Sequence, residues 1–177
     1  MSYHTCILQN FFDNPDKIVD YANTLEWIGP QEKDNWPGKR TNNMSEINKK
    51  LFDFITNKIL SIYFDLNVGV VKWEKSNIRF HKITNDDWLK HNKKHTRIHK
   101  DSYGLAGVVY LNKNICDEKT GTSFFDENIN LMYKTCNYYN NAVIYDGCNL
   151  NHGATSIGND DRLILCIFID GINYKYR

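Results

Sequence analysis

Apolar residues in the first third of the chain recur at helical spacing. After a short strand-like run from Thr5 to Gln9, Asn14–Pro15 supplies a capping residue and then a proline suited to a first turn. Ile18, Val19, Ala22 and Leu25 follow on one face. Gly29–Pro30 predicts the end of that helix. A second helix is expected from Ser45, because Ile47, Leu51, Phe54, Ile55, Ile59 and Ile62 trace a single apolar stripe. Both stripes read as core-packing faces.

From Val68 onward the period shortens to that of strands. After VGVVKW come eight short runs rich in β-branched and aromatic residues: NIRFHKI, TRIHK, GLAGVVYLN, GTSFFD, NLMYKT, AVIYD, LNHGATS and RLILCIFI. Eight short strands behind a helical flank predict a mainly β, α+β fold: a jelly roll, or double-stranded β-helix of the cupin-like kind, with the helices packed outside. The chain is read as one domain, residues 1–177, with the flank at about 1–67 and the barrel core at about 68–177. GNDD at 158–161 predicts a tight turn before the last strand. The longest irregular piece, KITNDDWLKHNKKH at 82–95, has Trp88 as its one large apolar group. It is expected to form a lid or substrate-reading segment, with a plain solvated insertion as the alternative.

Composition narrows the class. The formal net charge is +1, from 22 Lys+Arg against 21 Asp+Glu, so neither a nucleic-acid footprint nor an acidic tail is present and no nucleic-acid partner is expected. The five cysteines, Cys6, Cys116, Cys136, Cys148 and Cys166, are scattered and contain no C-x-x-C pair. They read as free thiols of a reducing compartment. The N-terminal stretch does not read as a signal peptide and no apolar run is long enough to span a bilayer, so a soluble, cytoplasmic protein is expected. Composition leaves oligomeric state open.

The candidate chemistry sits in TRIHKD and IYDGCNLNHGAT. On an extended segment alternate residues face the same way, so His99 and Asp101 point together while Ile98 and Lys100 face away, and His152 joins them from a distant strand. Two imidazoles and a carboxylate suit one face of a ferrous ion and leave its other positions open. Arg162 opens the final strand; facing inward it would bring Ile164, Cys166 and Phe168 to the same side and offer a fork-shaped cation to a carboxylate. A rival metal set, His91, His95 and His99 at helical i, i+4 spacing, lacks a carboxylate on its face and leaves Arg162 unexplained. Spacing leaves a Ser-His-Asp or Cys-His nucleophile open, yet no G-x-S-x-G elbow or comparable cysteine context is present. His4 and His81 show no partner pattern.

Over about residues 76–170 the order of motifs resembles the Fe(II)- and 2-oxoglutarate-dependent oxygenase superfamily, most closely its prolyl-hydroxylase-like branch. A strand ending near RF precedes H-x-D; a strand ending YLN, G-T-x-F and a strand entering DG before H-G follow, with an Arg ten residues beyond that His. NFFDNPDKIVDYA also looks like the opening of small members of that group. The resemblance implies that His99, Asp101 and His152 are the iron ligands. It further implies that Arg162 pairs with the distal carboxylate of 2-oxoglutarate and that the Tyr110 hydroxyl contacts the same carboxylate. The implied cofactors are Fe(II), 2-oxoglutarate and O2, and the implied reaction is hydroxylation of an unactivated C–H bond with release of succinate and CO2. A peptide side chain and a small metabolite are both open as substrates. Two positions depart from the pattern. Phe80 stands where many prolyl hydroxylases have a tyrosine, and Phe168 stands where the nucleobase-demethylating branch has a second arginine, which argues against DNA repair. The competing class is a non-catalytic double-sheet barrel serving as a binding or interaction module.

Overall fold

The computed structural model describes residues 2–31, 36–92, 98–113, 120–154, 156–157 and 161–177, without the side chains of residues 91 and 92. Strand β1 (Cys6–Leu8) leads into helix α1 (Pro15–Asn23), where Asn14 Oδ1 accepts from Lys17 N at 3.2 Å and Pro15 occupies the first turn. The helix stops before Leu25 and well short of Gly29–Pro30: Thr24 Oγ1 donates to Tyr21 O at 2.7 Å, and the chain leaves the helix so that Ile28 can pair with Arg40 of β2 (Lys39–Arg40).

The expected second helix is two. Helix α2 (Met44–Ile47) is capped by Asn43, and α3 (Lys49–Tyr63) restarts behind Asn48, whose Oδ1 accepts from Leu51 N at 3.0 Å. Asn48 offers its own side chain as a cap, a competitor to continued helix. The buried face of α3 is Phe52, Ile55, Thr56, Ile59 and Leu60; Ile47 and Phe54 of the expected stripe are exposed.

The remaining elements are β3 (Gly69–Lys72), β4 (Lys75–Ile83), α4 (Asn85–Asn92), β5 (Leu105–Tyr110), β6 (Ser123–Phe125), β7 (Leu131–Lys134), β8 (Ala142–Asp146), β9 (Asn151–Gly153), β10 (Arg162–Asp170) and β11 (Asn173–Tyr176). They form an antiparallel six-stranded sheet in the order β1-β8-β5-β10-β4-β2, a three-stranded sheet β7-β6-β9 and a ribbon β11-β3. The expected mainly β architecture of antiparallel sheets is the observed one. Of TRIHK, the described residues 98–100 carry only an isolated bridge from His99 to His152; residues 96–97 lie outside the described residues, as do 158–160 of the expected turn.

Alternation along the central strands gives the large sheet two different faces. Leu165, Ile167 and Ile169 of β10 join Ile78, Phe80, Leu105, Val109 and Ile144 in a buried cluster shared with Phe52, Ile55, Ile59 and Leu60 of α3. The other face carries Ala106, Val108, Tyr110, Val143, Tyr145, Ile164 and Cys166, clustered with Phe124 of the smaller sheet. Each aliphatic side chain taken fully out of water contributes about 1.5–3 kcal/mol, so the helix-side cluster supplies the larger share of stabilisation and the inner face is free to carry polar groups.

Of the segment 82–95, the described residues 82–92 are regular. Lys82 and Ile83 finish β4, and α4 follows a reciprocal cap in which Thr84 Oγ1 donates to Asp87 Oδ2 at 2.7 Å and Asp87 N donates to Thr84 Oγ1 at 3.1 Å. Trp88 is buried and packs with Ile83, Ile157 and Ala154, so it belongs to a wall of the fold and not to a solvated insertion; residues 93–95 lie outside the described residues.

Candidate metal centre

One β-bridge assembles the expected triad. His99 and His152 exchange both backbone hydrogen bonds at 2.9 Å, which sets their side chains on the same face, and the rings lie 4.6 Å apart. Asp101, two residues on, returns to that face and is anchored by its N–H to Gly147 O at 2.8 Å. A Cβ on Gly147 would lie 2.7 Å from Tyr103 O and 3.1 Å from Asp101 Cβ, so this close approach of the 101–104 segment to the end of β8 requires glycine.

The donor atoms converge. Asp101 Oδ2 lies 3.1 Å from His152 Nε2, Asp101 Oδ1 lies 3.5 Å from His99 Nε2, and one ligand atom from each residue falls within 4.8 Å of the others. A small divalent ion at about 2.1 Å from each donor needs donors separated by about 3 Å, which this cluster approaches. The hydrogen-bond pattern also fits a cation. His152 Nδ1 donates to Leu150 O at 2.8 Å, which turns Nε2 toward Asp101 Oδ2, a buried oxygen with no other contact partner among the described residues. Burial alone would raise the Asp101 carboxyl, but the His152 and His99 imidazoles hold it at about 2, so it is an anion at neutral pH. The rival set cannot be placed against this cluster, because the side chain of His91 and the whole of His95 lie outside the described residues.

The triad opens on a cavity of about 500 Å³ between the two sheets. Arg162, Ile164, Cys166 and Phe168 all line it, as the alternation of β10 predicts. Arg162 is 3% exposed, makes no ion pair among the described residues, and its Nε has no hydrogen-bond partner. A cation buried in this way costs several kcal/mol unless an anion meets it. Its guanidinium carbon lies 5.8 Å over the Tyr110 ring.

Three expectations change. Tyr110 does not line the cavity with its hydroxyl: Oη lies 2.8 Å from Thr122 Oγ1 and 3.0 Å from Thr135 Oγ1, and accepts from Thr122 N at 3.0 Å, so its hydrogen-bonding capacity is spent inside the wall. Phe80 belongs to the helix-side cluster, so its missing hydroxyl takes nothing from the cavity; His81, its neighbour in β4, is the residue that lines it. Lys100, expected to face away, borders the cavity, with its ammonium 3.0 Å from Glu127 Oε1.

The sequence reading missed Tyr145, Trp36 and Arg40, all in the cavity wall. The Tyr145 ring lies 4.5 Å from that of His152; burial first, then the Asp101 charge, push its phenol well above the usual range, so it is neutral at physiological pH. The alternation of AVIYD carries the signal for Tyr145, which shares a face with Val143.

Comparison with known proteins bears on this arrangement at two levels. Among solved structures the chain is similar to a Pseudomonas putida prolyl-4-hydroxylase, with TM-score 0.62 and 15% identity over 95% of this chain and 92% of that one. It is also similar to a Trichoplax adhaerens prolyl hydroxylase in complex with a hypoxia inducible factor oxygen degradation domain peptide fragment, with TM-score 0.61 and 11% identity over 94% and 83%. A Burkholderia pseudomallei oxidoreductase of the 2OG-Fe(II) oxygenase family gives TM-score 0.62 and 12% identity over 94% and 84%. At these identities the likeness establishes a shared fold, that of the prolyl-hydroxylase-like 2OG-Fe(II) oxygenases, as the motif order implied. No curated protein sequence matches the chain. One family model does, over residues 2–135, a stretch that includes His99 and Asp101 and stops before His152 and Arg162. Because that match spans well over half of the 177 residues, the chain belongs to DUF6445, a family of unknown function.

Proposed function

We propose that this chain, acting as one catalytic unit, is an Fe(II)- and 2-oxoglutarate-dependent dioxygenase that hydroxylates an unactivated C–H bond of a peptide side chain or small metabolite. The observation that carries the reading is the pairing, in one cavity, of a converging His–Asp–His cluster with a buried arginine that has no anion partner among the described residues. His99, Asp101 and His152 would hold the ion, and Arg162 would pair with the remote carboxylate of 2-oxoglutarate. When bound, the ferrous ion and cosubstrate supply the oxidising chemistry: substrate C–H, O2 and 2-oxoglutarate become C–OH, succinate and CO2.

The chain's own residues do the positioning. Leu150 O holds the His152 tautomer that presents Nε2, and the Gly147 contact sets Asp101 beside it. The Tyr110 ring lies under the Arg162 guanidinium, and the two threonines clamp the Tyr110 hydroxyl so that this ring cannot swing. Tyr145, Trp88 and Phe168 close the walls with apolar surface, which excludes water around a reactive centre. The Trichoplax neighbour is bound to a peptide fragment, which supports a substrate of peptide or comparable small size here.

The test is Mn(II) or Fe(II) binding by calorimetry together with succinate formation from 2-oxoglutarate. His152→Ala removes a nitrogen ligand and should lower metal affinity by at least about tenfold and abolish succinate release. Unchanged metal affinity in that variant would sink the assignment.

A further inference from the structure

The close approach that sets Asp101 also builds an aromatic surface two residues beyond it. Ala106 of β5 lies in one sheet row with Tyr145 of β8, Phe168 of β10 and Asn77 of β4. Its short side chain leaves room for Gly147 to come down on it: a Cβ on Gly147 would lie 2.8 Å from Ala106 Cβ and 2.7 Å from Tyr103 O. Three hydrogen bonds then hold the segment that follows Asp101. Asp101 N donates to Gly147 O at 2.8 Å, Gly147 N to Gly104 O at 2.9 Å and Gly104 N to Asp170 Oδ1 at 3.1 Å. Tyr103 stands on this fixed backbone, and its ring packs on that of Phe168 with centroids 5.4 Å and planes 41° apart. Both side chains are half-buried and line the cavity.

The register separates this surface from the cosubstrate end. Phe168 is six residues along β10 from Arg162, a rise of about 20 Å. The triad is level with the Phe168 row, because the His152 ring lies 4.5 Å from that of Tyr145. Asp101 is two residues, at most about 7 Å of chain, from Tyr103. A group resting on the two rings therefore lies within a side chain's length of the metal ligands and well away from Arg162.

The surroundings of the pair decide what can rest there. Tyr145, Ala106, Phe168 and Asn77 give a row without an ionised group. Arg79 Nε donates to Asn77 Oδ1 at 2.6 Å, which sets a guanidinium beside the rim of this surface. Aromatic faces attract cations, but a cationic side chain here would approach the like charge of Arg79. A carboxylate would give up its hydration against two rings, and Arg79 is not among the residues that line the cavity. An uncharged ring meets neither cost. Aromatic pairs also add about two- to twelvefold in affinity beyond the area they bury.

We propose that Tyr103 and Phe168 form the platform for the substrate and that the group laid on it is an uncharged aromatic ring, carried by a small aromatic compound or by an aromatic side chain of a peptide. This rests on the oxygenase reading above. The platform shares its backbone with Asp101, so the anchor that places the metal ligand also places the ring to be oxidised or the group attached to it.

The experiment uses the full chain loaded with Mn(II) and 2-oxoglutarate without oxygen. The probes are N-acetyl methylamides of phenylalanine, leucine, proline, lysine and glutamate, and the same five residues between two glycines in capped tripeptides. Saturation-transfer NMR reads binding. The phenylalanine probe should bind about tenfold or more tightly than the lysine and glutamate probes, and about threefold or more tightly than those of leucine and proline. A further gain in the tripeptide marks a peptide substrate, and its absence a small aromatic compound. Phe168→Leu and Tyr103→Leu keep apolar bulk and remove one ring each, so each should weaken the phenylalanine probe by about two- to twelvefold and leave the leucine probe nearly unchanged. If 2-oxoglutarate binds and phenylalanine has no preference, or if both variants keep that preference in full, the inference is overturned and the oxygenase reading survives. If 2-oxoglutarate fails to bind the unmodified chain, that reading falls and this one with it.

Discussion

Replacing Arg162 by methionine separates a structural arginine from a ligand-binding one, because the two roles move stability in opposite directions. The side chain is 3% exposed, has an unsatisfied Nε and makes no ion pair among the described residues, so within them it is a desolvated charge with no compensating anion. Exchanging buried ions for apolar groups of similar volume is neutral or stabilising by about 1–4 kcal/mol. At roughly 2–4 °C per kcal/mol for a chain of this size, Arg162→Met should raise the melting temperature of the ligand-free protein by a few degrees. Losing one partner of a buried, hydrogen-bonded charge pair costs about 2–5 kcal/mol, so 2-oxoglutarate should bind about 30- to 5,000-fold more weakly. At a cosubstrate concentration a thousand times the parent's Kd, the parent protein gains about 4.1 kcal/mol and the variant about 0.1–2 kcal/mol, so the ligand favours the parent by about 2–4 kcal/mol and shrinks or reverses the ligand-free order of the two melting curves. Scanning calorimetry with and without 2-oxoglutarate, plus Mn(II) titration to show that the metal site is intact, reads all of this. A variant that melts several degrees lower without ligand, or that binds 2-oxoglutarate as tightly as the parent, refutes the reasoning.

Three further outcomes follow from the packing and the titratable groups. Trp88→Ala should cost about 3 kcal/mol in urea denaturation, the low end for a buried tryptophan because one of its sides faces the cavity; a change below 0.5 kcal/mol, roughly what a surface substitution gives, would mean that α4 is not a wall. Gly147→Ala puts a Cβ 2.8 Å from Ala106 Cβ and should cost about 1–3 kcal/mol while lowering metal affinity through the displaced Asp101, and a stability loss with unchanged metal affinity would detach this glycine from the site. Burial pushes the Asp146 carboxyl up, but hydrogen bonds from Asn149 Nδ2 and Tyr3 N outweigh it and hold the group below its usual value. Its folded pKa being the lower one, its contribution is complete above the unfolded value near about 4 and is lost as pH falls through the folded value; Asp146→Asn should flatten the acid limb of melting temperature against pH, and parallel limbs would contradict this.

What was legible in the sequence is what period-two alternation can carry. H-x-D on an extended segment, a distant H-G and an Arg opening a long apolar strand translate directly into side chains on one inner face, because the backbone leaves little freedom once a strand is assumed. The parity of β4 was harder to read: Phe80 and His81 are both buried, one on each face, so burial in the sequence pattern does not say which looks inward. Tyr110 lies on the inner face as expected, yet Thr122 and Thr135, distant in sequence, capture its hydroxyl. β2 is two residues long and has no period to detect, although it places Arg40. The break at Asn48 and the cap at Thr84 are local side-chain choices that outcompete a continuous helix in one case and an irregular loop in the other.

The position of β10 has a consequence for the order in which this molecule can be assembled. In the six-stranded sheet it lies between β4 and β5, and the sheet's five other strands all precede it in the chain. During synthesis those strands emerge with the slot between β4 and β5 unfilled, each presenting an unpaired edge. Pairing across about eighty residues is entropically slow, and it comes late because the missing strand is made last. Insertion of β10 therefore completes the sheet and delivers Arg162 in the same event. Before it, the nascent chain holds open strand edges, the kind of surface that recruits chaperones or pairs with a neighbour.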